Sequence, residues 1–372
     1  MVLLDLKSFY LYLPLHPEVR RYFQIVDPET GERLKYCVVP FGLSSAPSYA
    51  SLVSAELLSI ILHRANLAES GERVRGSSHI DDFGLVSQDH GRALEAGDIA
   101  GRLLEEVGLP ESREKRCGPT TRARWLGAVH DTETACSSAS LDHLEAAAEE
   151  AWSLSRARRW SRRRLQSAVG LIQWVSQFVC GSQPYLRSAW DCLRGARRWF
   201  RPTKRARADF RWWSRTACKL AKSGGGVRWI GGESPLVLTW SDASGDVGWG
   251  IRSGSYMDSG RWGPDQAQKS VPYKELFPIH RFASRLGRHL SNGTWVVFTD
   301  SASVAHMLNN GRSAAEDCND MLRDIASSSR DHNYEYVALW MPRECNEGAD
   351  ALSKNPIPGP SPAPSPHTLF WL

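Results

Sequence analysis

Apolar and polar positions follow two successive patterns along this chain of 372 residues. In the first pattern, short apolar runs at 1–6, 22–26, 34–39 and 125–129 predict strands. Residues 48–65 and 91–107 carry apolar positions at helical spacing. The resulting order of strand, hairpin, helix, hairpin, helix and strand predicts an α+β fold, in which an antiparallel sheet is packed by helices on one face.

The pattern becomes helical from about residue 142 to about residue 200, and a Gly-rich stretch then predicts a linker. Beyond the linker, strands and helices alternate, which predicts an α/β domain with a mixed sheet. We therefore expect a first domain at 1–135, a basic helical domain at 136–222, a linker at 223–234 and a second mixed domain at 235–356. The Pro- and Ser-rich tail, 357–372, is expected to be flexible.

Composition narrows the class of protein. Apolar residues make up 42% of the chain and charged residues 23%, which is ordinary for globular domains. The eight cysteines show no C-x-x-C pair, so we expect neither a zinc site nor a disulfide framework, and a reduced compartment. No apolar run approaches the about 18–20 residues of a membrane span, and charged residues follow the N-terminus too soon for a signal peptide. We expect an intracellular protein, in the cytoplasm, the nucleus or both.

A basic block lies between residues 154 and 216, with sixteen Arg or Lys residues against two Asp. Tryptophans are interleaved with these charges, and the ordinary interpretation is a helical bundle with a solvated basic face and the tryptophans in its core. So many uncompensated charges repel one another unless phosphates neutralise them. Arg156, Arg159 and Arg163 are therefore candidate nucleic-acid-binding residues.

Two adjacent carboxylates, Asp81 and Asp82, stand between short apolar runs. Asp is common in solvated turns, and that is the ordinary interpretation of such a pair. Two neighbouring carboxylates are costly unless a cation neutralises them, however, and Asp5 ends an apolar strand elsewhere in the chain. Because neighbouring side chains on a strand point to opposite faces, only one of the pair can point directly at a site shared with Asp5.

A second set of carboxylates occupies strand ends and helix starts in the last third of the chain: Asp242, Glu275, Asp300 and Asp350. Such positions can converge at one end of a mixed sheet. Carboxylate oxygens suit Mg²⁺, with Mn²⁺ as an alternative. Two such ions at each acidic cluster fit phosphodiester chemistry, either nucleotidyl transfer or hydrolysis.

Several motifs carry a resemblance to a known family. In order, they are DLKSFY (5–10), LPLHP (13–17), VPFGLSSAP (39–47), HIDD (79–82) and WLG (125–127). This series resembles a retroelement reverse transcriptase. The later motifs TWSD (239–242), KE (274–275), TDS (299–301) and NEGADALS (346–353) resemble the RNase H domain attached to such enzymes. The stretch 165–195 is most similar to the connecting region of DIRS-type (tyrosine-recombinase) retrotransposons.

The resemblance implies a palm with partial fingers, a helical thumb and connection, and an RNase H-like domain. It implies RNA-directed DNA polymerase and RNase H activities, with two Mg²⁺ ions per site and primer–template, RNA/DNA hybrid and dNTPs as partners. It also assigns residues. The polymerase metal ligands would be Asp5, Asp81 and Asp82, and the RNase H ligands Asp242, Glu275, Asp300 and Asp350.

The remaining implied roles concern the nucleotide and the primer. Tyr10 would lie against the sugar of the incoming nucleotide and exclude a 2′-OH. Phe41 and Gly42 would lie along the nucleotide and template, and Lys115 near the leaving pyrophosphate. The strand containing Trp125 and Gly127 would contact the primer.

Two departures from the family pattern leave alternatives open. His79 stands where the family has an aromatic residue before the Asp-Asp pair. The fingers region that precedes the first catalytic Asp in the family has no counterpart here, so we expect an N-terminally truncated chain that binds nucleotide poorly. The alternatives to a polymerase with RNase H activity are an RNase H-type nuclease alone and a non-catalytic nucleic-acid-binding remnant.

Overall fold

The computed structural model describes residues 1–67, 72–195, 198–224, 227–228, 235–357 and 359–361. The chain divides into two compact units, Met1–Cys136 and Ser137–Leu372. Both units combine helices and sheets, as the sequence predicts. Most of the predicted linker, 223–234, and most of the predicted tail, 357–372, lie outside the described residues. Within the described part, no helix is both long and apolar enough to cross a membrane.

The first unit is built from seven strands and two α-helices within its described residues. The strands are β1 (Val2–Asp5), β2 (Gln24–Val26), β3 (Arg33–Lys35), β4 (Arg75–His79), β5 (Asp82–Val86), β6 (Arg122–Trp125) and β7 (Ala128–Asp131). The helices are α1 (Ala46–Ala65) and α2 (His90–Glu106), and 3₁₀ turns cover Phe9–Tyr12, Arg20–Tyr22 and Arg113–Lys115. A further strand, β8 (Cys136–Ala139), lies at the division between the units.

The central sheet of the first unit has the antiparallel order β1-β5-β4. Alternation along β1 and β5 assigns its two faces. Val2 pairs with Leu85 and Leu4 with Phe83, and all four side chains are buried in one cluster with residues of α1 and α2. The opposite face therefore carries Asp5 and its register partner on β5.

Two hairpins flank this sheet. The predicted strands 22–26 and 34–39 pair as β2 and β3, although both are shorter than predicted. The prediction of one strand over 125–129 is wrong, because Trp125 ends β6 and Ala128 begins β7. Leu126 and Gly127 between them have φ of 50° and 80°. Positive φ at both central residues matches a two-residue hairpin turn, and a Leu in that position gives no sequence signal for it.

The second unit begins with a helical part, in which the described helices are α3 (Leu141–Arg156), α4 (Arg162–Val175), α5 (Arg187–Arg194) and α6 (Lys204–Ser223). Two short strands, β9 (Trp160–Ser161) and β10 (Trp199–Phe200), interrupt the predicted continuous helical pattern and pair with each other. 3₁₀ turns cover Ser176–Phe178 and Gln183–Tyr185, and β11 is Val227–Arg228. Trp160 and Trp213 are buried in the helical core, whereas Trp152 and Trp199 are exposed. The tryptophans therefore divide between the core and the surface.

The second part of this unit is a mixed sheet with helices. Its strands are β12 (Leu236–Ala243), β13 (Gly248–Ser253), β14 (Tyr256–Arg261), β15 (Thr294–Thr299) and β16 (Glu335–Trp340). Its helices are α7 (Pro264–Ala267), α8 (Val271–Leu286), α9 (Ala302–Asn310), α10 (Glu316–His332) and α11 (Glu347–Lys354), with 3₁₀ turns at Gly287–Leu290 and Arg343–Cys345.

The five strands lie in the order β14-β13-β12-β15-β16. The β12–β15 and β15–β16 pairs are parallel, and the others are antiparallel. Core residues of α8, α9 and α10 pack with one set of alternate strand residues, including Val237, Ile251 and Val297. Helix α11 packs on the other face, against β12 and β13. In the described part of the predicted tail, Ser361 bonds through its backbone and hydroxyl to Met257 on the edge strand β14.

Candidate functional site

Asp5 and Asp82 lie directly opposite each other in the first unit. They are register partners in the antiparallel pair β1–β5. Directly opposed residues in such a pair project from the same face, with Cβ atoms about 5 Å apart. The N–H of Leu6 donates to the carbonyl oxygen of Asp81 at 2.9 Å, which ties the end of β1 to the hairpin turn. Strand pairing thus brings two of the three predicted acids together and leaves Asp81 on the turn.

The turn that carries Asp81 has an unusual backbone. Ile80 has φ 55°, in the left-handed region that branched side chains rarely adopt. The carbonyl oxygen of Ile80 accepts a hydrogen bond from Ser54, which is fully buried in α1. A helix under the sheet therefore fixes the hairpin turn, and the turn fixes the position of Asp81.

Lys115 contacts the acidic residues. Its Nζ lies 2.8 Å from Oδ1 of Asp5, and this hydrogen bond raises the pKa of Lys115. Burial raises the pKa of Asp82 above its usual range, and the charges of Asp81 and Asp5 raise it further. The site thus concentrates more negative charge than Lys115 neutralises. The family resemblance implies that Lys115 lies near a leaving pyrophosphate, but the sequence gave no signal that it pairs with Asp5.

Of the predicted nucleotide and primer residues, two aromatic side chains contact each other, and Trp125 lies on the face that carries the carboxylates. Tyr10 and Phe41 meet edge to face with ring centroids 5.8 Å apart, and Phe41 is 73% exposed. Gly42 has φ 89° and also lies at the surface. A Cβ placed on Gly84 would lie 3.4 Å from the ring of Trp125. Gly84 is two residues beyond Asp82, so Trp125 packs on the sheet face that carries the carboxylates, and Gly127 follows in the turn after it.

In the second unit, three of the four predicted acids come together. One ligand oxygen from each of Asp242, Glu275 and Asp300 lies within 4.8 Å of the others. Parallel strands β12 and β15 are in register at Ser241 and Thr299, so the acids that follow them lie at the same end of the sheet. Helix α8 begins at Val271, earlier than the predicted Lys274, and Glu275 lies just past its first turn.

Burial and like charges define the chemistry of this group. Asp242 is 1% exposed, and burial raises its pKa. Burial, with the charges of Asp242 and Asp300, raises the pKa of Glu275 to about 8. Oε2 of Glu275 is buried and accepts no hydrogen bond from any described residue. An unpaired buried carboxylate oxygen beside two other acids fits a divalent cation, which prefers hard oxygen ligands.

Asp350 lies outside the group of three. Its Oδ1 accepts hydrogen bonds from Nη2 of Arg343 at 2.8 Å and from Nε at 3.1 Å, and its Oδ2 accepts one from Lys354 at 2.6 Å. The hydrogen bond from Lys354, with a further contribution from Arg343, lowers the pKa of Asp350. Asp350 is therefore held in its ionised form by two cations.

The two acidic sets differ in compactness. Among the described residues, the group with three mutually close metal-ligand atoms is the one in the second unit, and Asp5, Asp81 and Asp82 do not form such a group. The eight cysteines are all free. The ligand atoms that the described residues group together are carboxylate oxygens, so the metal chemistry that this group supports is carboxylate chemistry.

The three candidate arginines lie on the surface of the helical part of the second unit. Arg156 stacks on Trp152, with its guanidinium carbon 5.1 Å from the ring centroid. Arg159 and Arg163 are exposed, whereas their neighbour Arg164 forms an ion pair with Glu150 at 2.7 Å. Arg159 and Arg163 thus present their charge to solvent, as a phosphate-binding surface requires.

Comparison with known proteins adds to this geometry. Residues 1–130 match the family model described as "Reverse transcriptase (RNA-dependent DNA polymerase)". Over 199 residues the chain is 24% identical to the Gag-Pro-Pol polyprotein of Human T-cell leukemia virus 2, an alignment that covers 52% of this chain and 12% of the polyprotein. The chain thus spans about an eighth of the length of that relative. Residues 1–130 are thus similar in sequence to reverse transcriptase domains, including that of a retroviral polyprotein.

Solved structures with a similar fold include two of a foamy viral protease-reverse transcriptase. The form named dRH, in complex with double-stranded DNA, has a TM-score of 0.52 and 14% identity, covering 92% of this chain and 57% of that one. The protease-reverse transcriptase with double-stranded DNA has a TM-score of 0.51 and 14% identity, covering 92% and 68%. At this identity the likeness concerns the fold.

Proposed function

We propose that this chain is an RNA-directed DNA polymerase with an attached RNase H activity, encoded by a DIRS-type retrotransposon. The observation that carries the polymerase assignment is the opposition of Asp5 and Asp82 across β1 and β5, inside the segment that matches the reverse transcriptase model. The narrower DIRS-type assignment rests on the sequence of residues 165–195.

In the polymerase site, Asp5 and Asp82, with Asp81 on the adjacent turn, would hold Mg²⁺ or Mn²⁺. Such ions activate an attacking oxygen and stabilise a leaving oxygen. The protein's own contribution is positional. Strand pairing orients the two opposed carboxylates, and Lys115 neutralises part of their charge. The half-buried Tyr10 and the exposed Phe41 form an aromatic edge that suits contact with a nucleotide sugar and base.

In the second unit, the support for a hydrolytic site is the compact group of Asp242, Glu275 and Asp300. Burial, and then the charges of Asp242 and Asp300, raise the pKa of Glu275 to about 8, so ionising all three acids without a cation is unfavourable. A divalent cation there would supply the positive charge, and Asp350 would join it from the start of α11. The proposed substrate is the RNA strand of an RNA/DNA hybrid, since a 2′-OH distinguishes RNA from DNA.

Nucleic acid is the proposed partner of the whole chain. The exposed arginines Arg156, Arg159 and Arg163 offer phosphate contacts, and both structural relatives were solved with double-stranded DNA. We propose primer–template and RNA/DNA hybrid as ligands, dNTPs as substrates and an intracellular location.

The experiment is a pair of assays on the purified chain with Mg²⁺: primer extension on an RNA template, and cleavage of a labelled RNA/DNA hybrid. Asp82→Asn and Asp81→Asn should abolish extension and leave cleavage intact. Asp300→Asn should abolish cleavage and leave extension intact. Asp246→Asn, which changes an exposed Asp near the second site, serves as the matched control and should alter neither activity.

A second candidate function is an RNase H-type nuclease whose first unit only binds nucleic acid. Two observations favour it. The acids of the first unit do not form a compact ligand group among the described residues. In addition, the carboxylate of Asp5 is already paired with the ammonium group of Lys115. Cleavage without extension would select this alternative. Loss of both activities with salt-sensitive hybrid binding retained would instead select a non-catalytic remnant.

A further inference from the structure

Ser353, on α11, touches the candidate metal site without being one of its acids. Its side chain is fully buried, and its Oγ lies 2.5 Å from Oδ2 of Asp242. The carbonyl oxygen of Asp350 lies 2.9 Å from the same hydroxyl. A serine has one proton to donate, and a carboxylate is a stronger acceptor than a carbonyl. The hydroxyl of Ser353 therefore donates to Asp242.

A glycine on the neighbouring strand lets α11 approach closely enough for the hydroxyl of Ser353 to reach Asp242. Gly250, on β13, is the register partner of Asp242 on β12. A Cβ on Gly250 would lie 2.4 Å from Cβ of Leu352 and 2.8 Å from the carbonyl oxygen of Ala349. The backbone of α11 thus rests directly on β13 beside Asp242, at a distance that any larger residue would prevent.

A second hydrogen bond holds the start of α11 against the sheet. Nδ2 of Asn346 donates to the carbonyl oxygen of Ser241 at 2.9 Å, and Asn346 is 1% exposed. The N–H of Asp350 donates in turn to the carbonyl oxygen of Asn346 at 3.0 Å. Both ends of helix α11 are therefore bonded to the end of β12. Asn346, at the start of the helix, bonds to the backbone of Ser241, and Ser353, near its end, bonds to the carboxylate of Asp242.

We propose that Ser353 is a positioning residue that orients the carboxylate of Asp242 for binding a divalent cation with Glu275 and Asp300. The inference rests on the function proposed for the second unit and adds a residue to it. A carboxylate whose rotation is restricted before binding loses less freedom when it binds. Groups that hydrogen-bond to metal ligands commonly change metal affinity or activity by about 10–100-fold when they are removed.

The test is direct Mg²⁺ binding to the full chain by titration calorimetry, with hybrid cleavage across a Mg²⁺ series as a second readout. Ser353→Ala removes the donor and should weaken Mg²⁺ binding about 10-fold. The half-saturating Mg²⁺ concentration for cleavage should rise by a similar factor, while the KM for hybrid stays unchanged. Ser353→Cys, which keeps the size and a weaker donor, should fall between the wild type and Ser353→Ala.

Ser329→Ala is the matched control. Ser329 is also fully buried in the second unit, but its hydroxyl donates to the carbonyl oxygen of Tyr334. This variant should bind Mg²⁺ as the wild type does. Wild-type affinity in a folded Ser353→Ala, or in Ser353→Cys if the alanine variant does not fold, would overturn the inference. So would an equal loss in Ser329→Ala. A wild-type chain that binds no Mg²⁺ and cleaves no hybrid would overturn the proposed function itself.

Discussion

Arg323 and Asp209 form a buried ion pair that joins the helical part of the second unit to its sheet part. Nη2 of Arg323, on α10, lies 2.7 Å and 2.8 Å from the two carboxylate oxygens of Asp209, on α6. Their side chains are 15% and 4% exposed. The guanidinium of Arg323 also lies over the ring of Tyr185, which stacks on Trp212. Removal of one member of such a pair leaves an uncompensated buried charge.

The first prediction concerns Arg323→Ala. Burial raises the pKa of Asp209 from 3.8 to about 6, against the opposing effect of Ser188 and Arg323. Because the folded pKa is raised, the contribution of Asp209 to the free energy of unfolding falls as the pH rises from about 4 to about 6. Loss of Arg323 raises that pKa further, so the variant should lose about 3 kcal/mol at pH 8 and less at pH 5. Urea unfolding at the two pH values measures the difference.

An exposed ion pair in the same helical part provides the control. Arg187 and Asp191 lie 2.8 Å apart, and the Asp191 side chain is 46% exposed. Solvent screens such a pair, so Asp191→Ala should cost under about 1 kcal/mol, equally at both pH values. If Arg323→Ala were equally destabilising at pH 5 and pH 8, its packing on Tyr185 rather than its charge would account for the loss.

The second prediction is a pH dependence caused by Glu275. Its folded pKa, about 8, lies above the usual 4.5, so its stabilising contribution is full below pH 4.5 and is lost as the pH rises toward 8. In EDTA, the unfolding free energy should fall between pH 6.5 and pH 8.5, by at most about 1.4 kcal/mol per pH unit. Mg²⁺ should reverse the fall. Thermal unfolding with and without Mg²⁺ measures both effects.

The variant Glu275→Gln tests whether the carboxyl group of Glu275, and no other group, causes this pH dependence. Gln has nearly the same size and does not titrate, so the fall in stability between pH 6.5 and pH 8.5 should flatten, and Mg²⁺ should no longer stabilise the chain. The pH range lies above the titration of Asp209, which keeps the two effects apart. An unchanged pH profile in Glu275→Gln would assign the titration to another group.

The sequence could predict which acids lie near one another because strand ends and helix starts can be read from local patterns. It placed Asp5 with the Asp81–Asp82 pair, and it grouped Asp242, Glu275, Asp300 and Asp350, of which the structure brings the first three together. The contacts that hold these acids in place could not be predicted from the sequence. Whether Asp5 opposes Asp81 or Asp82 depends on strand register, which one residue of slippage would reverse.

Other features escaped prediction because they depend on how elements approach one another. Gly250 looks like any strand glycine until α11 is placed on it, and only then does Ser353 reach Asp242. Leu126 carries no turn signal, although its φ is 50°. By contrast, the pairing of Asp350 with Lys354 follows from their spacing of four residues on a helix, and it could have been inferred.

The third prediction concerns the face that carries Asp5 and Asp82. Gly84→Val places a branched side chain where the ring of Trp125 lies 3.4 Å from a Cβ. Overpacking of this kind costs about 1–3 kcal/mol, and it should displace Trp125 from the face beside the carboxylates. Primer extension should fall while hybrid cleavage by the second unit is retained. Gly170→Ala, in open space on α4, is the control and should alter neither activity.

The last prediction tests the basic surface of the helical part. Arg159 and Arg163 are exposed, so each is free to contact a phosphate and release a counterion. Log affinity falls linearly with log salt concentration, and each lost phosphate contact makes this slope less negative by about 1. The double variant Arg159→Ala/Arg163→Ala should therefore bind RNA/DNA hybrid more weakly, with a slope less negative by about 2. Fluorescence anisotropy across a salt series measures both quantities.

Arg164→Ala is the matched control for this surface. Arg164 lies next to Arg163, but its guanidinium is bonded to Glu150 and to the hydroxyl of Ser153. An arginine engaged in this way has less charge to offer a phosphate, so its removal should leave the salt slope nearly unchanged. An equal change of slope in Arg164→Ala and in the double variant would show that the slope reports net charge rather than contacts at Arg159 and Arg163. Because salt dependence is independent of catalysis, this measurement also locates nucleic-acid binding in a chain that lacks either activity.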